Sequence, residues 1–167
     1  MSNGELIAVR NSAAILAAYA VKKIFPDARI GENRLNDHGF SFDFRNMQQA
    51  KESDLKLIQD AYLEAVKADK PFHVRSVPKA EAVELFHQRL EIYKATLVEK
   101  LEQDEVSLVE VDGYLDIAPD QLVKSTRKLK NAEFLSIAGA YWDGNAANDA
   151  MQRIQAAVFS GKQELAD

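Results

Sequence analysis

Cysteine is absent from all 167 residues. That excludes disulfides and any thiolate-ligated metal site, and it fits a reducing compartment such as the cytoplasm. Histidine is scarce: His38, His73 and His87 are the only three, and no two stand at a metal-ligand spacing. Each is read as a structural residue, so no metal is expected. There is no G-x-x-x-x-G-K-[ST] and no G-x-G-x-x-G, hence no phosphate loop and no cofactor motif. No nucleophile stands beside a visible base. Positive charge is in deficit, with 21 Lys and Arg against 26 Asp and Glu, a net of −5. A general polyanion binder is basic, so DNA is not an expected partner and any nucleic-acid contact must come from a local patch. With 4 prolines and 7 glycines the chain holds no long linker, and it shows no repeat or low-complexity segment. Long apolar runs are missing too. Arg10 followed by Ser12–Val21 and Ala18-Tyr19-Ala20 imitates a secretory signal. That run passes without a break into Lys22-Lys23-Ile24-Phe25 and is too short to cross a bilayer, so no membrane is expected.

What is present suits one compact α+β domain over residues 1–167, 47% of it hydrophobic. Residues 1–10 read as a loose start. Asn11 and Ser12 are N-cap types, and the following stretch to Phe25 is apolar almost all round, the signature of a buried helix. The Asn36–Gly39 turn joins strands over 28–36 and 38–45, with Phe40, Phe42 and Phe44 on one face. A capped helix runs from Ser53 to about Asp69, then a strand over Phe72–Val77. A helix follows from Pro78 to Phe86 or Arg89, then a further helical segment or insert over Leu90–Leu101. Glu102–Glu105 is a solvated loop. Val106–Leu115 reads as one strand, and Asp116 with Pro119 opens a short helix toward Lys130. The order predicts a mainly antiparallel sheet gripping a buried helix.

The chain is organised around Phe134–Phe159. It carries the one tryptophan, Trp142, beside Tyr141. Gly139 in the apolar run marks a bulge or a close backbone approach. Asp143-Gly144-Asn145 is turn chemistry, with positive φ suited to Gly and Asn. Ile154, Ala156 and Val158 then alternate with Arg153, Gln155 and Ala157. This is strand, turn, strand, although the alanine-rich 146–157 also fits a helix. Gly161 and the residues after it read as the start of another helix, which fits a fragment of a longer chain.

Ala138-Gly139-Ala140-Tyr141-Trp142, Gly144, Met151 and Arg153-Ile154 resemble the end of the second N-terminal, editing domain of threonyl-tRNA synthetases. A related domain occurs in alanyl-tRNA synthetases and in free-standing editing proteins. The family pattern ends L-Q-R-I-Y-G; here Gln155 and Ala156 replace the last two residues. The resemblance extends to residues 10–26, to Asp37–Asp43, to Glu81–Phe86 and to Tyr93-Lys94. It implies removal of serine wrongly attached to tRNA. In the family two histidines four apart on the first helix, with a cysteine and a histidine four apart after a late strand, form the reactive cluster. Residues at i and i+4 share a helix face, so their side chains converge. The matching positions here are Asn11, Ile15, Ala118 and Leu122. Three cannot bind a metal or move a proton, and Asn11 offers only neutral hydrogen bonds. Lys94 and Asp116, polar positions of the family's pocket, remain. The family's R-G-P is also replaced, by Pro119-Asp120-Gln121.

Two readings of Asn11, Ile15, Ala118 and Leu122 stand side by side: core packing with helix capping, or a reshaped pocket for an aminoacyl-adenosine or nucleoside. Lys94 with Asp116 reads as a charge pair at the pocket rim or as a plain surface bridge. Lys124, Arg127, Lys128 and Lys130 form the one basic cluster. On a helix the first three share a side and either touch tRNA phosphates or form a solvated face. The expected role is a catalytically degenerate editing-domain-like module that binds or regulates. The alternatives are a trans-acting deacylase for mischarged tRNA, the N-terminal module of a uridine-kinase-like protein, and an oligomerisation module.

Overall fold

The computed structural model of the chain describes residues 2–159. Helix α1 spans Asn3–Ile24, and its cap is Ser2, whose Oγ accepts from the Glu5 N–H at 3.1 Å. The loose N-terminal start expected from the sequence is therefore helix from residue 3, and Asn11 and Ser12 lie inside it rather than capping it. Every residue from Ser12 to Val21 is buried. Five alanines in that stretch (Ala13, Ala14, Ala17, Ala18 and Ala20) let neighbouring elements approach on all sides. At 22 residues α1 is long and apolar enough to cross a bilayer, longer than the sequence reading allowed, but in this fold protein wraps it.

β1 (Arg29–Leu35) and β2 (Gly39–Arg45) form a hairpin. After α2 (Asp54–Lys67) come β3 (His73–Pro78), α3 (Lys79–Gln88) and α4 (Ile92–Glu99). β4 (Glu105–Val111) and β5 (Tyr114–Ile117) follow, then a 3₁₀ turn at Thr126–Lys128. β6 (Ala132–Tyr141) and β7 (Ala150–Val158) close the described residues. All pairings are antiparallel, in a four-stranded sheet ordered β1-β2-β7-β6 and a three-stranded sheet ordered β3-β4-β5.

The main core joins α1 and α2 to the large sheet through Phe40, Phe42 and Phe44, and to the small sheet through Val109, Val111 and Tyr114. So α1 is held between the sheets. A second core packs α3 and α4 on the small sheet through Phe86, Ala95, Val98, Leu108 and Leu115.

Two sequence expectations fail, the first for a local reason and the second for a long-range one. The strand expected over 106–115 is a hairpin, because Asp112 (φ 47°) and Gly113 (φ 87°) turn the chain. The helix expected after Asp116 is absent apart from the one 3₁₀ turn. Its backbone groups are taken by distant partners: Phe72 N–H donates to Lys124 O at 2.9 Å and Thr126 N–H to Lys70 O at 2.9 Å.

Around the Trp142 turn, Asp143 (φ 57°) and Gly144 (φ 68°) adopt the left-handed backbone, and Asn145 does not. The stretch 150–158 is strand, not helix. Gly139 sits in open space, while the register shift of β6 falls between Phe134 and Ser136. The close approach belongs instead to Gly39, where a Cβ would lie 2.2 Å from the Ala156 carbonyl oxygen. The helix expected from Gly161 onward lies outside the described residues.

Candidate functional site

Four elements and the strand-to-loop exit of β5 enclose a cavity of about 290 Å³. α1 brings Asn11 and Ile15, one turn apart on one face. The edge strand β1 brings Glu32 and Asn33, α4 brings Lys94, and β5 with its exit brings Asp116, Ala118 and Pro119.

Five of the six pocket residues named from the sequence thus meet. Leu122 does not: it lines a separate groove with Val123 and Lys124, because the chain turns away after Pro119. Asn11 spends its side chain on that turn, donating from Nδ2 to Gln121 O at 3.0 Å. The histidines stay away from the cavity lining. Among the described residues no cluster of three His, Cys, Asp or Glu is arranged to hold a metal.

The charge pair lies in the floor, not at the rim. Lys94 Nζ stands 2.8 Å from Asp116 Oδ1, and the side chains are 3% and 1% exposed. Asp116 is saturated with donors: Ile117 N–H at 2.7 Å, Tyr114 OH at 2.9 Å, and Asn33 Nδ2 at a long 3.5 Å. Burial first, then the carboxylates of Asp116 and Glu91, push the Tyr114 phenol well above its ordinary range. It therefore stays protonated and donates to Asp116. Glu91, itself buried, is tied to Lys22 and to the Ile30 N–H at 2.9 Å.

Lys94 differs from Asp116. An ammonium has three N–H donors, and among the described residues its one ion-pair partner is Asp116. Asn33, whose Nδ2 lies 3.5 Å from the other Asp116 oxygen, has a buried Oδ1 with no hydrogen-bond partner. Buried polar atoms are nearly always paired, and an orphan asks for a water or a ligand. The cavity lining thus holds an ammonium with donors beyond its bridge to Asp116 and, elsewhere in the lining, an unshared acceptor, among apolar walls.

No family model matches the chain. The threonine–tRNA ligase of Janthinobacterium sp. (strain Marseille) is 38% identical over 157 residues, covering 93% of this chain and 25% of the relative. That of Burkholderia lata is 37% identical over the same shares. That of Francisella tularensis subsp. novicida is 32% identical over 94% of this chain and 25% of the relative.

The chain is a homologue of the editing region of threonyl-tRNA synthetases. It spans about a quarter of the length of the curated relatives it matches. The α+β fold agrees with that editing region. Of the four residues that the sequence resemblance matched to the family's reactive cluster, Asn11, Ile15 and Ala118 line the cavity and Leu122 stands outside it.

Asn33 and Tyr114 escaped the sequence reading. Tyr114 carried a signal, since two residues before Asp116 on a strand is the same face. Asn33 carried none: its place depends on the β1 register shift between Ile30 and Asn33.

Proposed function

We propose that this editing-domain homologue acts in the cytoplasm as a binding module that takes the aminoacyl end of a tRNA, or a nucleoside-like ligand, without hydrolysing it. The observation that carries this reading is the cavity lining, where Lys94 offers unshared donors and Asn33 Oδ1 an unshared acceptor. A carbonyl or anionic oxygen suits the first, and a hydroxyl or ammonium the second. Hydrolysis needs a proton acceptor aimed at an attacking water. Asn11, Ile15 and Ala118 supply none, the Asp116 carboxylate is consumed by its own donors, and Glu32, the other carboxylate of the lining, is half exposed on edge strand β1 and paired with Arg34 at 3.8 Å.

The test pairs calorimetry on a non-hydrolysable seryl-adenosine analogue with deacylation assays on Ser-tRNA(Thr) and on Ala- and Gly-charged tRNA. Wild type should bind the analogue and leave the esters intact, and Lys94→Ala should lose the heat of binding. Turnover abolished by Lys94→Ala would favour a trans-editing deacylase assisted by the substrate's own 2′- or 3′-hydroxyl. Neither heat nor turnover would leave an oligomerisation module.

A further inference from the structure

Lys124, Arg127, Lys128 and Lys130 are not on a helix, yet they line one groove of about 860 Å³. All four are exposed, and among the described residues none forms a salt bridge. In a chain of net charge −5 such a concentration of unpaired cations is a local exception. Glu5 and Asp69 also line the groove and offset two of the four charges.

The segment that carries the cations is irregular but held in place. Val123 N–H donates to the buried Ser12 Oγ at 2.9 Å. Thr126 Oγ1 donates to Ala65 O at 2.7 Å, and Leu129 O accepts from Tyr62 OH at 2.7 Å. A fixed backbone presents the charges at lower entropic cost than a mobile loop.

The groove also shares its wall with the cavity. Ala118 and Pro119 face the cavity, and Leu122 through Ser125 face the groove. On α1, Ala8 of the groove and Asn11 of the cavity are separated by a rise of about 4.5 Å.

We infer that the groove holds the sugar–phosphate backbone of the RNA strand whose end enters the cavity. This rests on the binding role proposed above, and it adds where the rest of that strand runs. Lysine and arginine contacts to phosphates release counterions, so binding falls with salt by about 0.7 to 0.9 log units per contact for each tenfold rise in salt.

The test measures salt-dependent binding of an uncharged RNA hairpin bearing a single-stranded CCA end, a DNA hairpin of the same sequence, and the seryl-adenosine analogue. The triple variant Lys124→Gln, Arg127→Gln, Lys128→Gln should make the RNA salt slope shallower by about 2 and leave analogue binding unchanged. Lys94→Ala should abolish analogue binding and keep the slope. An RNA slope unaltered in the triple variant overturns the groove, even if the analogue binds. Equal affinity for the DNA hairpin overturns an RNA strand as its occupant. Analogue binding that fails while the triple variant still flattens the RNA slope refutes the cavity reading and supports the groove.

Discussion

Lys94 of α4 and Asp116 of β5 face each other at 2.8 Å with almost no water on either. Removing one partner of such a pair strands the other charge in a dry site, while replacing both with apolar groups is far milder. Lys94→Met should therefore cost roughly 3–5 kcal/mol, measured by urea unfolding. The double variant Lys94→Met, Asp116→Leu should recover most of that loss yet bind no adenosine analogue. A double variant as unstable as the single one would show that Asp116 is tied into the fold chiefly by Tyr114 and Ile117.

Two glycines should respond in opposite ways. At Gly39 a Cβ would meet Ala156 O at 2.2 Å, a backbone atom of the strand β2 pairs with. Gly39→Ala must push β2 off β7, and a cooperative unfolding transition should be lost or fall sharply in temperature. At Gly139 nothing lies within 4 Å of the added atom. Gly139→Ala there reduces the freedom of the unfolded chain and should stabilise by about 0.4–1 kcal/mol. Thermal melts of the two variants decide both.

The parts of the fold that were legible in the sequence are those set by local pattern. The apolar girth of α1 predicted its burial, and Phe40, Phe42 and Phe44 at period two predicted the sheet face they form. The Asp112-Gly113 hairpin was equally local, but imperfect alternation over Val106–Leu115 hid it. The path of the chain after Pro119 to Lys130 was not legible, because its shape comes from partners more than 50 residues away, such as Phe72, Lys70 and Ser12. The cavity stands between. Resemblance to the editing domain pointed to Lys94 and Asp116, but their burial and the orphaned Asn33 Oδ1 arise only when β1, α4 and β5 meet.

Ser12 is a test of that long-range wiring. Its hydroxyl is fully buried, donates to Ala8 O at 2.7 Å and accepts from Val123 N–H at 2.9 Å. Ser12→Ala keeps the helix but leaves the Val123 N–H without its partner, at a cost of about 1–3 kcal/mol. The loss should concentrate in the wall between cavity and groove. Hydrogen exchange should show faster exchange at Val123 in the variant, with the amides of β2 and β7 unchanged.

The single tryptophan reports on a contact that holds α4, the helix that carries Lys94. Trp142 packs on Tyr93 with ring centroids 4.8 Å apart, and a Cβ on Gly31 would lie 3.5 Å from its ring. The Tyr93 hydroxyl donates to Asp149 Oδ2 at 2.7 Å, and Arg45 pairs with the other oxygen at 2.9 Å. The hydrogen bond from Tyr93, and after it Arg45, hold the Asp149 carboxyl below its ordinary range. A carboxylate depressed in the folded state contributes stability that is whole above its unfolded value, about 3.9. The contribution disappears as pH falls through the lower folded value. Trp142 emission should therefore stay constant from neutral pH down to about pH 4 and change only below it. Tyr93→Phe removes the main cause of the depression, so its acid transition should begin at higher pH. If the two proteins show the same acid midpoint, Asp149 does not clamp the 142–149 loop to α4.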